Sequence, residues 1–279
     1  MLSKVFLEIT NTCNLSCSFC HGTSRPPRSL TAEEFDVLTD KIKGKAQYLY
    51  FHVLGEPLTH SLLPEFINIA AAKGFRPMLT TNGTLLDSRA DELIKSRIYK
   101  ISISLHALEA NGEYAPSAYL NSCIAFADKA SLSGIITVFR LWNIGGRNSA
   151  NAEILNTLHA AFPDDWHENR SGYRIRDKLY LEWGEKFDWP DAAGEVLGED
   201  AFCYALRDQI AVLSDGTVVP CCLDANGSIA LGNLFEDDLE AILNSPRAQS
   251  IYTGFTRHKA IEPLCRSCGY ALKTKQYRE

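Results

Sequence analysis

Apolar positions along this chain recur in two periods. Runs rich in Ile, Val, Leu, Phe and Tyr occupy Val5–Ile9, Tyr48–Val53, Arg76–Thr80, Lys100–Leu105, Ile135–Leu141 and Leu179–Trp183, and each reads as a strand. Helix-length segments lie between them. One starts at Thr31, where Thr31 and Glu34 have the spacing of a capping box. Others run approximately over Leu62–Lys73, Ser88–Lys95, Ala118–Ser131 and Ala152–Phe162. Repeated strand–helix units of this length predict an α/β fold with a parallel sheet and helices outside it. Six such units suit a partial (β/α)6 barrel, although periodicity alone also permits an open doubly wound sheet.

The pattern changes after residue 162. Residues 163–200 are acidic and rich in Trp, Gly and Pro, and read as the end of the barrel and a connector. This sets a boundary between a first domain, 1–195, and a second, 200–279. In the second, Ile210–Leu213 and Thr217–Val219 flank Ser214-Asp215-Gly216, a hairpin signal. Glu236–Leu243 reads as a short helix, and a loop carrying Cys265 and Cys268 follows. Lys273–Glu279 reads as a frayed polar tail.

Composition narrows the class. With 279 residues, 46% of them hydrophobic, the chain can bury one large α/β core plus a small appendage. A net charge of −6 gives no general attraction to nucleic acid phosphate, so a nucleic acid partner is not expected. No run of about eighteen apolar residues occurs, and the N-terminus lacks a signal-peptide layout. A cytoplasmic protein without a membrane partner is therefore expected. Nine cysteines, seven of them in two groups, then point to metal or redox chemistry rather than a disulfide framework.

The first group is Cys13, Cys17 and Cys20, spaced C-x3-C-x2-C directly after the first apolar run. Three thiolates on one short loop can hold three corners of a cubic iron–sulfur cluster and leave the fourth iron open to a substrate or cofactor. The second group combines Cys203 and Cys221, framing the hairpin as C-x12-G-x4-C, with the C-x2-C pair Cys265 and Cys268. Four such ligands suit a tetrahedral zinc site or a fully ligated cubane, and spacing alone leaves both open. Cys222 could be a substitute ligand, a catalytic thiol or a buried residue, and base rate favours the last. Cys123 shares a helical apolar stripe with Tyr119, Phe126, Ala127 and Ala130 and reads as core. His21 sits on a tight loop beside Cys20, which argues against joint ligation. His52 and His159 have apolar neighbours and read as satisfied core or edge residues.

In a parallel barrel, working residues gather on the loops after the strands. Here those loops carry Gly55-Glu56-Pro57, Thr81-Asn82-Gly83, Ser104-Leu105-His106, Arg140-Leu141-Trp142-Asn143 and Glu182-Trp183. A Gly permits close backbone approach, and a Glu can pair with an ammonium group. Arg140, in an otherwise apolar strand end, calls for an anionic partner, which a Glu of the chain or a bound ligand would supply equally. Tyr173, Arg174, Glu182, Trp183 and Glu185 are pocket candidates, and equally rim or core packing.

The Cys13–Cys20 string resembles the signature of the radical S-adenosylmethionine (radical SAM) enzymes, and Gly55-Glu56-Pro57 resembles their GEP string. C-x12-G-x4-C with a late C-x2-C resembles the SPASM/Twitch extension of that family, in the shorter form with one auxiliary cluster. The resemblance implies a partial (β/α)6 TIM-like barrel with a small C-terminal SPASM/Twitch subdomain. It implies a [4Fe–4S] cluster on Cys13, Cys17 and Cys20, with SAM at the open iron. A second, auxiliary [4Fe–4S] cluster would sit on Cys203, Cys221, Cys265 and Cys268. SAM contacts would come from Phe19 near the adenine, from Gly55, Glu56 and Pro57 at the amino group, from Asn82, and from Ser104 and Arg140 at the carboxylate or ribose. Many relatives carry Asp where this chain has His106, which leaves the role of that position open.

The implied activity is reductive cleavage of SAM to a 5′-deoxyadenosyl radical. That radical would take hydrogen from a peptide or protein side chain or a small alcohol-type substrate, in a net oxidation or crosslinking. A flavodoxin or ferredoxin-type electron donor would be needed. RNA modification is an alternative, because Ser104-Leu105-His106-Ala107 resembles a string in some RNA-methylating relatives; the acidic balance counts against it. A non-enzymatic iron–sulfur or zinc redox sensor is another, opposed by the open-iron spacing and the GEP string.

Overall fold

The computed structural model describes residues 2–112 and 117–271, so Lys273–Glu279 lies outside the described residues. The strand–helix alternation is realised as β1 (Leu2–Leu7), α1 (Ala32–Ile42), β2 (Ala46–Tyr50), α2 (Leu63–Ala72), β3 (Arg76–Thr81), α3 (Leu86–Lys95), β4 (Lys100–Ser104), α4 (Ala107–Ala110), α5 (Ser117–Leu132), β5 (Ile136–Ile144) and α6 (Asn151–Ala161). There follow β6 (His167–Asn169), β7 (Gly172–Arg176), β8 (Leu179–Glu185), β9 (Gln209–Val212), β10 (Thr217–Val219) and β11 (Gly232–Asn233). The chain then forms α7 (Leu239–Leu243), α8 (Pro246–Thr256) and α9 (Pro263–Arg266). Among the described residues no helix is long and apolar enough to cross a membrane.

All these strands join one open sheet in the order β11-β10-β9-β1-β2-β3-β4-β5-β8-β7-β6. Pairing is parallel from β9 through β1 to β5 and β8, and antiparallel at both ends. With helices against one face, this is the partial barrel that the repeated units suit.

Alternation along the strands gives the sheet two unlike faces, since residues two apart share a face. The registers place Val5 beside Leu49, Leu79 beside Ile101, Ile103 beside Phe139 and Phe139 beside Leu181. These residues are buried in one core with Phe35, Leu38 and Ile42 of α1, Phe66 and Ile67 of α2, and Phe126 of α5. Each fully buried Leu, Ile or Phe contributes about 1.5–3 kcal/mol. The rings of Phe35 and Phe66 stack at 4.1 Å. The opposite face mixes polar and apolar side chains: Lys4 pairs with Tyr48, Ser104 with Arg140 and Arg140 with Glu182, while Phe6 pairs with Tyr50 and Ser102 with Val138. A barrel interior lined this way is not filled by aliphatic layers, and space remains in it.

The predicted capping box at α1 forms, with Glu34 N donating to Thr31 Oγ1 at 3.1 Å and Thr31 N donating to Glu34 Oε2 at 3.0 Å. Elsewhere the structure departs from the sequence reading. β1 lies earlier than Val5–Ile9, because its pairing with β2 begins at Leu2 and β9 joins on the other side from Lys4 to Leu7. The span 163–178, expected as a connector, contains the β6–β7 hairpin. Its β6 residues are exposed, so no apolar alternation marks it. The unforeseen α8 is capped by Ser245, whose hydroxyl accepts from Ala248 N at 3.3 Å.

Candidate active site

The chain leaves β1 and enters the loop that carries Cys13, Cys17 and Cys20. Hydrogen bonds from neighbouring elements fix this loop. Ser18 N donates to Ala110 O at 2.8 Å, Ser16 N to Asn111 Oδ1 at 2.7 Å, and Asn14 Nδ2 to Thr84 Oγ1 at 2.8 Å. Trp189 Nε1 donates to Phe19 O at 2.9 Å. The loop also lies against the turn after β2. There Glu56 N donates to Thr12 O at 2.8 Å, and Gly55 has φ +79°. A Cβ on Gly55 would stand 2.4 Å from Thr10 O and 2.9 Å from Thr12 O, so the contact requires glycine.

One cavity of about 620 Å³ opens beneath this loop, and both cysteine groups face it: Cys13, Cys17 and Cys20 from one side, Cys203, Cys221, Cys265 and Cys268 from the other. Phe19, Gly55, Ser104, His106 and Arg140 also line it. Glu56, Pro57 and Asn82 stand behind the lining. Glu56 is only 2% exposed, and both its oxygens are used within the chain. Leu58 N donates to it at 3.0 Å, Thr81 Oγ1 at 2.8 Å and Asn82 N at 2.7 Å. Burial raises the Glu56 carboxyl above its ordinary pKa, and these donors oppose the rise. The Asn82 side-chain amide donates to Asn14 Oδ1 at 2.9 Å and comes within 4.0 Å of Cys13 Sγ.

All nine cysteines are free. Burial, reinforced by Cys13 and Cys20, pushes the Cys17 thiol up to about 11. Burial likewise raises Cys13, takes Cys203 to about 11 and lifts Cys221 well above the ordinary thiol value, with Cys203 and the other nearby cysteines adding to it. Thiolates in these positions call for a compensating cationic centre, which an iron–sulfur cluster provides. Among the described residues no three His, Cys, Asp or Glu side chains converge on a single-ion site. The two groups instead face open volume, and that donor set fits clusters.

Other side chains take definite places. Arg140 finds its anion inside the chain, with Nε 3.4 Å from Glu182 Oε2, and its guanidinium lies 4.5 Å from the Trp142 ring centroid. The His106 ring packs 5.1 Å from that of Phe19, and its Nδ1 lies 3.1 Å from Arg140 O. His52, read as a satisfied histidine, instead lines the cavity with a shielded Nδ1 that has no hydrogen-bond partner among the described residues. Burial, aided by the Arg140 charge, drives its pKa down to about 3. His159 stacks on Trp166 at 3.8 Å, and Cys123 is fully buried in the core, as its stripe predicts. Cys222 also faces the cavity, pushed up to about 12 by burial.

The pocket candidates Tyr173, Arg174, Glu182, Trp183 and Glu185 do not line this cavity. Tyr173 packs on Trp166, and Arg174 pairs with Asp177. The lining comes instead from the stretch just beyond β8, Phe187, Trp189 and Pro190, and from Tyr270. Phe187 approaches Trp189 at 5.6 Å and Tyr270 at 6.0 Å between ring centroids. An aromatic pair in an acidic connector was the available signal, and it carries no period.

Two family models match the chain. One is the radical SAM superfamily, over residues 7–158. The chain belongs to the radical SAM superfamily. It is therefore an enzyme that works with a [4Fe–4S] cluster and SAM. The other model is an iron–sulfur cluster-binding domain, SPASM, over residues 203–269, so this radical SAM enzyme also carries auxiliary iron–sulfur.

It is similar to the antilisterial bacteriocin subtilosin biosynthesis protein AlbA of Bacillus subtilis, 24% identical over 94% of this chain and 65% of that protein. It is also similar to a probable GTP 3',8-cyclase of Methanocella arvoryzae, 30% identical over 87% of this chain and 88% of that protein. The radical SAM chain spans between a third and two thirds of the length of the first curated relatives it matches. Among solved structures, BtrN in complex with AdoMet and 2-DOIA has the same fold, with a TM-score of 0.59 and 19% identity over 96% of this chain and 93% of that one.

Proposed function

We propose that this enzyme uses SAM to take a hydrogen atom from a peptide or protein side chain or a small alcohol-type substrate, and that the net reaction is an oxidation or crosslinking. The observation that carries the reading is the single cavity shared by the two cysteine groups. Cys13, Cys17 and Cys20 hold the cluster that activates SAM, and Cys203, Cys221, Cys265 and Cys268 hold the auxiliary one. Bound together, cluster and SAM supply a carbon-centred radical, chemistry that no side chain provides.

The chain's own part is binding, orientation and exclusion of water. Phe19, Gly55 and Ser104 line the SAM side, with Arg140 reaching from β5. Glu56, Pro57 and Asn82 position that wall from behind: the Glu56 carboxylate holds Asn82, and Asn82 holds the cysteine loop. Phe187, Trp189 and Tyr270 close the substrate space with aromatic surface. Cys203, Cys221, Cys265 and Cys268 face the same space, so an auxiliary cluster held there would supply an electron acceptor for the oxidation. A flavodoxin- or ferredoxin-type donor serves the first cluster.

Anaerobic reconstitution should give about eight irons per chain, and Cys203→Ala should leave about four. Cys13→Ala, Cys17→Ala or Cys20→Ala should abolish 5′-deoxyadenosine formation under dithionite; its persistence would overturn the assignment. A nucleotide substrate is a second reading, motivated by the 30% identity to the Methanocella arvoryzae protein. Stimulation of 5′-deoxyadenosine formation by GTP would favour it over a peptide or alcohol.

A further inference from the structure

The inner face of the sheet also lines a second space. At the N-terminal ends of the strands, away from the cysteine loop, lies an open basin of about 670 Å³, whose lining includes Lys4, Tyr50, Tyr99, Lys100, Tyr180 and Tyr204. Lys4 and Tyr50 also line the cavity above it, so the two spaces share a wall.

The basin is rich in donors and cations. Lys100 Nζ stands 3.6 Å from Glu182 Oε1, but Glu182 is shared with Arg140 at 3.4 Å. Asp208 at the rim is held by Arg207 at 2.9 Å. Lys4 has no carboxylate partner among the described residues, and its Nζ lies 5.5 Å and 5.9 Å from the ring centroids of Phe6 and Tyr50. The charged lining is therefore Lys4 and Lys100 with Glu182 and Asp208, and both carboxylates are also paired with arginines outside the lining, Arg140 and Arg207, which leaves the Lys4 charge unanswered. Among the described residues the hydroxyls of Tyr50, Tyr99, Tyr180 and Tyr204 have no protein hydrogen-bond partner. The Tyr48 hydroxyl accepts from Arg76 Nη1 at 3.2 Å, which leaves its own proton to donate. Lysine supplies donors and no acceptor, and each phenol adds a donor. The complement of such a site is an oxyanion, with an organic body against the rings.

We propose that this basin binds the carboxylate or phosphate of an organic ligand, with Lys4 and Lys100 as its cationic contacts. The shared Lys4–Tyr50 wall makes that ligand the enzyme's substrate, anchored by its anionic end while its reacting part lies beneath the cysteine loop. Only this last step rests on the function proposed above.

The test is isothermal titration calorimetry of the anaerobically reconstituted protein with inorganic phosphate and, separately, with glutarate. At least one should bind saturably, and the tighter of the two identifies a phosphorylated or a carboxylate ligand. Lys4→Gln and Lys100→Gln should each weaken that binding about tenfold. Lys4→Arg should retain it, which separates charge from folding. Absence of saturation by either anion up to about 10 mM, or unchanged affinity in Lys4→Gln, overturns the proposal. Iron content and 5′-deoxyadenosine formation in the same preparation report separately on the radical reading. Anion binding without SAM cleavage would keep the basin and remove its link to catalysis.

Discussion

The Glu8 carboxylate and the Arg25 guanidinium form a buried pair, with Arg25 Nη2 2.6 Å and 2.7 Å from the two carboxylate oxygens. Glu8 is fully buried at the end of the first strand, and Arg25 follows the cysteine loop. The pair reaches the C-terminal segment as well. Ser214 N and Oγ each donate to Glu8 Oε2 at 3.0 Å, and Arg25 Nε donates to Ala225 O at 2.9 Å. One carboxylate therefore joins the segments that carry both cysteine groups.

Glu8→Ala should cost about 3–5 kcal/mol, because it leaves the guanidinium without its anion in a buried setting. Urea denaturation measures the loss. A change below about 1 kcal/mol, the range of exposed pairs, would show that the pair is not a structural tie.

Gly55→Ala should destabilise the chain by more than about 1 kcal/mol, since φ is positive and the new Cβ meets backbone oxygens rather than a movable side chain. The displaced atoms belong to Thr10 and Thr12, at the root of the cysteine loop. A melting temperature equal to wild type would refute this account of the contact.

Glu56→Gln should cost about 1–3 kcal/mol, although it preserves shape and removes a buried charge. Every group that reaches the carboxylate is a donor: Leu58 N, Thr81 Oγ1 and Asn82 N. An amide NH2 in that setting must face one of them. Half-maximal 5′-deoxyadenosine formation should also shift to higher SAM as Asn82 loses its anchor. A variant as stable as wild type would place the carboxylate's importance elsewhere.

His52 makes stability depend on pH. Its imidazole is held down to about 3 in the folded chain and returns to its ordinary value of 6.5 on unfolding. The stability it contributes is therefore complete above pH 6.5 and is lost as pH falls toward 3, by up to about 1.4 kcal/mol per pH unit. His52→Phe should flatten that decline between pH 7 and 5.5 in urea denaturation. Parallel pH dependence in the two proteins would contradict it.

Much of the site is legible in local spacing. A C-x3-C-x2-C loop after a strand, a glycine at a tight approach and a capping box at Thr31 each depend on residues a few positions apart, and short-range geometry fixes them. The C-x12-G-x4-C hairpin is legible for the same reason, with Gly216 at φ +86° in its turn. The sheet registers, by contrast, follow from burial of the aliphatic face against α1, α2 and α5.

What the sequence by itself determined is the donor chemistry: two sets of thiols, a glycine turn and a run of strand–helix units. Only the tertiary structure decided that the two sets share one cavity. It also decided that Glu56 turns inward, that Glu182 answers Arg140, and that Phe187, Trp189 and Tyr270 close the space. The reason is that β9 joins the sheet beside β1, more than two hundred residues earlier in the chain. Pairing at that separation is set by which faces must be buried and which hydrogen bonds must be closed, and it leaves no periodic mark on the chain.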